Sequence, residues 1–385
     1  MKILHTADWH ANSNYDKFLE SSNQIKEHII KEGDIDLMVF SGDLFDSRLI
    51  ASHQYNQIIN EFKDFAELVP IFMVYGTSSH DYKGSLDIFE KINTKYEICV
   101  IDKMKDSINY FDLENKKFNF ANEDLLLIGC PWPSRSRWLR DSELKELSPK
   151  EQEEKYNKRF NIWREKILKI NQNISTILVG HLQLIGSIPT RNQDISSENH
   201  NPKLFYDLCD YGALGHIHTN WKSKNLYFSG SIFNKTWGEL EDKYFNVITI
   251  ENKKYEVEKI KIKTPVMLKV ECNEEEYKEY KDEFKCNDEV IRLEDTVLSR
   301  SNLNNIWFNI ETKNKNSYII ENEIEFWNKH LNEVRLDFIK VKTDTLERLE
   351  EYSKDISLEE KFKIWCKQKK EKPTEFQLNK IKELQ

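Results

Sequence analysis

Five short stretches of this chain combine carboxylate and imidazole side chains at spacings that suit metal binding: Asp8-Trp9-His10, Gly42-Asp43-Leu44-Phe45-Asp46, Gly76-Thr77-Ser78-Ser79-His80-Asp81, Gly180-His181 and Gly215-His216-Ile217-His218. His216 and His218 are spaced i, i+2, so on extended backbone their rings point the same way. A cluster of Asp and His without Cys, drawn from separate loops, fits borderline divalent metals such as manganese or iron, with zinc possible. The number of donors suits two ions. Two metals held about 3.5–4 Å apart by a bridging carboxylate activate a water and stabilise both the attacking and the leaving oxygen of a phosphoryl centre. A further His outside the coordination sphere can protonate the leaving oxygen. Singly, each stretch has a blander reading: Asp8 and His10 as a turn and a surface histidine, Asp43 and Asp46 as helix caps after Gly42. That reading does not account for all five in this order. His5, His28, His53, His200 and His330 lack such surroundings and receive no role.

The elements that must position these residues follow from the apolar patterning. Strand-like runs are Lys2 to Thr6, Asp36 to Ser41, Ile71 to Tyr75, Leu125 to Gly129, Thr176 to Gly180 and Tyr211 to Gly215. Helical patterns lie between them, at Asn23 to Lys31, Ala51 to Glu67, Ser85 to Ile92 and a long charged segment from Ser142 to Ile170. The alternation is that of an α/β layer fold. Pro131-Trp132-Pro133 is a stiff turn ahead of the last helix. Each of the five stretches follows a strand, so all are expected at the carboxyl edge of one sheet, where glycines let backbone approach a ligand closely.

The chain has 385 residues, 39% hydrophobic and 12% aromatic, enough for a sizeable core and for more than one domain. It has no apolar run of membrane-spanning length, and Met1 to Thr6 reads as a strand without a basic region or cleavage site, so a cytoplasmic location is expected. Six scattered cysteines without Cys-x-x-Cys spacing read as reduced, structural thiols. A net charge of −9 argues against coating nucleic acid by bulk positive field but leaves local phosphate binding open. Arg135, Arg137 and Arg140, interleaved with Trp132 and Trp138, read either as a nucleic-acid contact or as a solvated helix start. There is no Gly-x-x-x-x-Gly-Lys-Ser/Thr, so ATP dependence would have to come from another chain.

The ordered set Asp8-x-His10, Gly42-Asp43, Gly76 to Asp81, Gly180-His181 and Gly215-His216-x-His218 resembles the calcineurin-like metallophosphoesterases. Within them the chain is most similar to the SbcD-type nucleases of DNA double-strand-break processing, through His5 to His10, Ser41 to Asp46, Tyr227-Phe228-Ser229-Gly230-Ser231 and Trp237-Gly238-Glu239. The resemblance implies an α/β fold, a β-sandwich flanked by helices, over residues 1–262, a small α+β capping domain at 263–343 that selects DNA, and a helical segment at 344–385 for docking a partner. It implies that Asp8, His10 and His218 hold a first metal, that Asp43 bridges, that His181 and His216 hold a second, and that His80, with Asp81 behind it, orients or protonates the phosphodiester. The ions would be manganese, with magnesium or another divalent cation as substitutes. The third stretch departs from the usual Gly-Asn-His-Asp: it is two residues longer and lacks the Asn ligand, whose place Ser78, Ser79 or a water would take. The implied activity is exonuclease and endonuclease cleavage of DNA ends and hairpins, with a coiled-coil SbcC-like ATPase as partner. A small-molecule phosphoesterase and a catalytically weakened scaffold are the competing readings.

Beyond Ile262, Thr264-Pro265 breaks the pattern, and strands at Val266 to Val270, Val290 to Leu293, Trp307 to Glu311 and Arg335 to Lys342 alternate with helices at Glu274 to Cys286 and Ser317 to Val334. Ser357-x-x-Glu360 and Thr374-x-x-Gln377 predict two capped helices, carrying Leu358, Phe362, Trp365, Phe376, Leu378, Ile381 and Leu384. These pack on the cap or dock into a partner's groove. Ile58, Ile59, Phe62 and Phe65, with Leu86 and Phe89, read by default as core, and the resemblance implies that their helices form a homodimer interface.

Overall fold

Apolar strands buried on both faces build two stacked sheets with helices outside them. The computed structural model describes residues 1–104, 107–119, 124–170, 174–190, 193, 199–237, 239–265, 267–286, 290–293, 296–299, 305–312, 326–327, 331, 333–340 and 363. In the first sheet β1 (Lys2–Thr6), β2 (Leu37–Phe40), β3 (Ile71–Val74) and β4 (Ile98–Ile101) run parallel. The hairpin of β12 (Lys243–Glu251) and β13 (Lys254–Ile262) joins antiparallel beside β1, giving the order β13-β12-β1-β2-β3-β4. The second sheet comprises β5 (Ile108–Asp112), β6 (Lys117–Asn119), β7 (Leu125–Cys130), β8 (Ser175–His181), β9 (Tyr211–Gly215), β10 (Trp221–Ser223) and β11 (Leu226–Phe228). Its order is β10-β11-β9-β8-β7-β5-β6.

Alternation along each strand divides the core. Ile3, Leu37, Val39, Phe72 and Val74 of the first sheet meet Leu127, Ile177, Val179 and Ala213 of the second. Their neighbours Leu4, Met38, Phe40, Ile71 and Met73 face outward onto α1 (Tyr15–Glu32) and α2 (Ser52–Leu68). Leu126, Ile128, Leu178 and Leu214 face the other helix layer, where Trp138 of α3 (Arg135–Trp138) packs with Phe160, Trp163 and Ile167 of α5 (Pro149–Lys169). With apolar side chains needed on both faces, these strands read as continuous hydrophobic runs.

The structure corrects three expectations. The five stretches do not share one sheet: β1, β2 and β3 belong to the first, β8 and β9 to the second, and their carboxyl ends converge across the sandwich. Parallel strands of either sheet carry the same pattern, so periodicity could not separate them. The charged segment from Ser142 is two helices, α4 (Asp141–Glu146) and α5, divided where Ser148 caps α5 in a capping box with Glu151 and Pro149 occupies the first turn. Ser85 to Ile92 supplies only a single 3-10 turn, Phe89–Lys91.

Ile58, Phe62, Phe65, Leu86 and Phe89 are core residues, and the exposed positions of α2 are polar: Ser52, His53, Asn56, Gln57, Asn60, Lys63, Asp64 and Glu67. Beyond Ile262, β14 (Met267–Asn273), β17 (Asn305–Thr312) and β18 (Glu333–Lys340) form a parallel sheet under α6 (Glu274–Cys286), with a hairpin of β15 (Val290–Leu293) and β16 (Thr296–Ser299). This unit has its own core of Val270, Tyr277, Phe284, Phe308 and Trp327. Most of the expected Ser317 to Val334 helix, and the two expected C-terminal helices apart from Lys363, lie outside the described residues. Among the described residues Cys99, Cys130, Cys209 and Cys272 form no disulfide. No helix among the described residues is long and apolar enough to cross a membrane.

Candidate metal centre

The first stretch is aimed by the residue between its two donors. Trp9 is fully buried among Phe18, Phe40, Phe62 and Phe65, and its Nε1 donates to Thr6 Oγ1 at 2.7 Å. With Trp9 pinned into the helix layer, Asp8 and His10 turn toward the ends of β9. Both Asp8 carboxylate oxygens accept from the His216 N–H, at 2.9 and 3.0 Å, and His10 Nε2 stands 3.0 Å from His218 Nε2. On β8, His181 donates Nδ1–H to Ser41 O at 2.6 Å, which fixes its tautomer and leaves Nε2 3.2 Å from Asp43 Oδ2. His216 Nε2 pairs with Gln183 Oε1 at 3.1 Å, leaving Nδ1 for another partner.

Two separate buried donor groups result, Asp8, His10 and His218, and Asp43, His181 and His216, while a third, of Asp46 and His80 with the shared His10, is only partly buried; in each the ligand atoms lie within 4.8 Å of one another. The backbone is strained to make them. Asp8 (φ 53°), His10 (φ 41°), Asp43 (φ 55°) and His216 (φ 101°) all lie in the left-handed region, at a cost of roughly 1–3 kcal/mol each. The strand ends also approach as only glycine allows. A Cβ on Gly76 would lie 2.0 Å from Asp43 Oδ1, and one on Gly42 2.6 Å from His181 Nδ1.

The third stretch is arranged differently from its expected roles. His80 donates Nδ1 to the Asp46 carbonyl, presents Nε2 3.9 Å from Asp43 Oδ2, and is partly open to solvent. Asp81 does not stand behind it. Its carboxylate accepts from the backbone N–H groups of Asp43, Leu44, Phe45 and Gly76, at 2.8–3.2 Å, and so ties the β2 and β3 ends together. Ser79 is exposed, its hydroxyl donating to Thr77 Oγ1 at 3.2 Å. Thr77, beside His80, also reaches the centre from this loop, donating N–H at 2.6 Å and Oγ1 at 3.0 Å to Asp43 Oδ1.

Of the arginine and tryptophan cluster, Trp132 walls the centre against His216 and His181, and Trp138 is core. Arg137 is a buried brace from Asp102 Oδ1 (2.8 Å) to Gly76 O (3.1 Å), neither solvated nor free for a ligand. Arg135 and Arg140 lie nearer the surface, and Arg140 is exposed. Thr77 and Gln183 carried no sequence signal, and the signal at Arg137 pointed to a different role, because what these residues do comes from contacts 33 or more residues away in the chain.

The electrostatics test whether metal fits. Burial pushes Asp8 up to about 7 despite His181 nearby. Burial likewise raises Asp43, but His181, His80 and His10 outweigh it and hold it well below the usual carboxylate range. His10, His218 and His216 are driven down, chiefly by burial, the last to about 3, so they stand neutral as metal ligands must. Only His181 rises, to about 9: burial lowers it, but the charges of Asp43 and Asp8 prevail. A dry pocket holding two carboxylates thus draws a proton where a cation would sit. His10 Nδ1 is buried without a hydrogen-bond partner, and His181 Nε2 faces only the Asp43 carboxylate. The donor set fits divalent metal.

Residues 1–220 match the family described as calcineurin-like phosphoesterase. The chain is similar to the SbcD subunit of nuclease SbcCD from Staphylococcus epidermidis, 27% identical over 268 residues that cover 66% of this chain and 67% of that protein. It is similar to the same subunit from Staphylococcus saprophyticus at 22% identity over 361 residues, 90% of this chain and 91% of that one. A 5'-nucleotidase structure from Candida albicans aligns at a TM-score of 0.31 and 12% identity, over 68% of this chain and 51% of that chain, a likeness too slight to argue from.

Proposed function

We propose that this chain, which belongs to the calcineurin-like phosphoesterase family, is a two-metal nuclease that hydrolyses phosphodiester bonds of DNA, working with a coiled-coil ATPase as the catalytic subunit of an end-processing complex. The observation that carries the reading is the pair of buried Asp/His groups converging from both sheets. DNA as substrate is supported by the similarity to the SbcD subunits, which in one relative runs along 90% of this chain, past the centre and through the smaller sheet. That smaller unit is assigned the role of a cap that selects DNA, and residues 344–385 that of the ATPase dock.

Asp8, His10 and His218 would hold one ion, His181 and His216 the other, with Asp43 between them; manganese is the ion assigned. When bound, the metals supply an activated water and charge neutralisation at phosphorus. The chain's own residues do the rest. Asp81 fixes the backbone that carries Asp43, and the Ser41 carbonyl and Gln183 set the tautomers of His181 and His216. His80, with Nδ1 engaged by Asp46 O, is set to hold the phosphate or to give its Nε2 proton to the leaving oxygen. Thr77 donates to Asp43 in the loop where the family's Asn is missing, and so steadies the carboxylate without itself being assigned as a ligand.

End-labelled linear and hairpin DNA, incubated with the purified chain and manganese, should be cleaved. Asp43→Ala should abolish cleavage, and His80→Ala should slow it by about 10²–10⁴-fold. Hydrolysis of a small nitrophenyl diester with no DNA cleavage, alone or with the ATPase added, would sink the nuclease reading in favour of a small-substrate phosphoesterase.

A further inference from the structure

A cavity of about 1060 Å³ lies beside the metal centre, between the β3 loop and the helices α3 and α5. Ser78 forms part of its wall, and Arg48 holds the Ser78 carbonyl in place with two N–H groups at 2.9 and 3.1 Å. The stretch in which this chain is longer than its family's pattern therefore builds the border between cavity and centre.

The lining has one sign of charge. Its single carboxylate, Asp102, is engaged by Arg137, while Lys83, Lys103, Arg140 and Lys166 are exposed with no ion-pair partner among the described residues. On a chain of net charge −9 this is a local reversal of sign. The rest of the wall mixes apolar side chains, among them Met104, Leu139 and an Ile162 that is 55% exposed, with the hydroxyls of Ser78 and Ser107 and the guanidinium of Arg159. A cationic rim over a partly apolar floor is the chemistry that holds an unpaired polynucleotide, phosphates outside and base faces within. A duplex cannot use such a cavity, because its bases are stacked inside and only its phosphates reach the protein.

We propose that this cavity binds an unpaired strand adjoining the scissile phosphate, with Lys103, Arg140 and Lys166 on its phosphates. The inference rests on the nuclease reading above and goes beyond it in assigning a site for single-stranded substrate. It gives the lengthened β3 loop a purpose: Ser78 and Arg48 guide the strand from the cavity toward His80.

The test is the affinity of the full chain for two labelled DNAs in EDTA, read by fluorescence anisotropy across salt concentrations: a blunt duplex, and the same duplex with an unpaired tail. The tail should tighten binding to the wild-type chain. In the triple variant Lys103→Glu, Arg140→Glu, Lys166→Glu that gain should fall at least about ten-fold, and the slope of log affinity against log salt should drop by about 2, three phosphate contacts at roughly 0.7 each. The neutral Gln triple variant should lie between, while blunt-duplex binding and manganese-dependent hydrolysis of the nitrophenyl diester stay at wild-type level. A tail gain that survives the charge reversal overturns the proposal, as does an equal loss for blunt and tailed DNA. Competition by inorganic phosphate as strong as that by the tail would reassign the cavity to a small anion. A wild-type chain that hydrolyses the diester but neither binds nor cuts DNA removes the nuclease reading itself, a result distinct from all three.

Discussion

Eight non-glycine residues among those described adopt left-handed backbone, and they fall into two sets. Lys116, Lys224, Asn252 and Lys253 sit in the turns of hairpins β5–β6, β10–β11 and β12–β13. There the conformation is local: a two-residue connection such as Asn252-Lys253 needs positive φ at both positions to match the twist of its strands. Asp8, His10, Asp43 and His216 adopt the same conformation at strand ends, where no turn demands it. They are held by distant partners: Asp8 N–H on Gly42 O, Asp43 N–H on Asp81, His216 N–H on Asp8. The same strain serves chain reversal in one set and donor placement in the other, and only the second depends on the tertiary fold.

The strongest way to break the contrast is at Gly76. In Gly76→Ala the new Cβ would lie 2.2 Å from Asp43 N as well as against its carboxylate, so backbone must move. Diester hydrolysis should fall by about 10²-fold, the cost of misplacing a reacting group by about 1 Å, and manganese titration should show weakened binding with the fold retained by circular dichroism. Thr77→Val removes the hydroxyl from Asp43 but keeps the backbone donor, so metal affinity should fall by about ten-fold, the low end for a residue supporting a ligand.

Two fully buried histidines sharpen the comparison through pH. Burial drives His5 down to about 3, and the carboxylates lift His181 to about 9. In the metal-free chain the His181 contribution is complete below the unfolded value of about 6.5 and is lost as pH rises through about 9. The His5 contribution is complete above about 6.5 and is lost as pH falls toward 3. Urea unfolding across pH should therefore show His181→Asn flattening the alkaline limb and His5→Asn the acid limb. Metal should erase the alkaline effect alone, since His5 meets Tyr211 OH and Leu214 O and none of the metal donors.

The smallest effect belongs to the other set. Lys253→Gly relieves a left-handed lysine but loosens the unfolded chain, so stability should change by less than about 1 kcal/mol and hydrolysis not at all. A loss of activity there would mean that the hairpin communicates with the centre and that the division is wrong.

Much of the centre is legible in the amino-acid sequence. The strands β1 and β9 run over the residues their patterning predicts, and the donors stand in the order Asp8, His10, Asp43, His181, His216, His218 because each follows a strand whose apolar run is unmistakable. The short edge strands β6, β10 and β11 are not legible, since three residues in a hairpin show too little alternation to read. Nor is the gap between Ser79, an exposed hydroxyl in a loop that lacks the family's Asn, and Thr77, which reaches Asp43 because the Gly76 backbone passes so close.

Sequence by itself determined which side chains are available for metal and that strands would present them, because donor chemistry and hydrophobic periodicity are local properties. Tertiary structure alone decided that two sheets share the centre, that Asp81 ties backbone instead of backing His80, and that Arg137 is a buried brace. Those outcomes depend on which strand ends meet across the sandwich, and that is set by burying two apolar faces against each other, a property of no single stretch of chain.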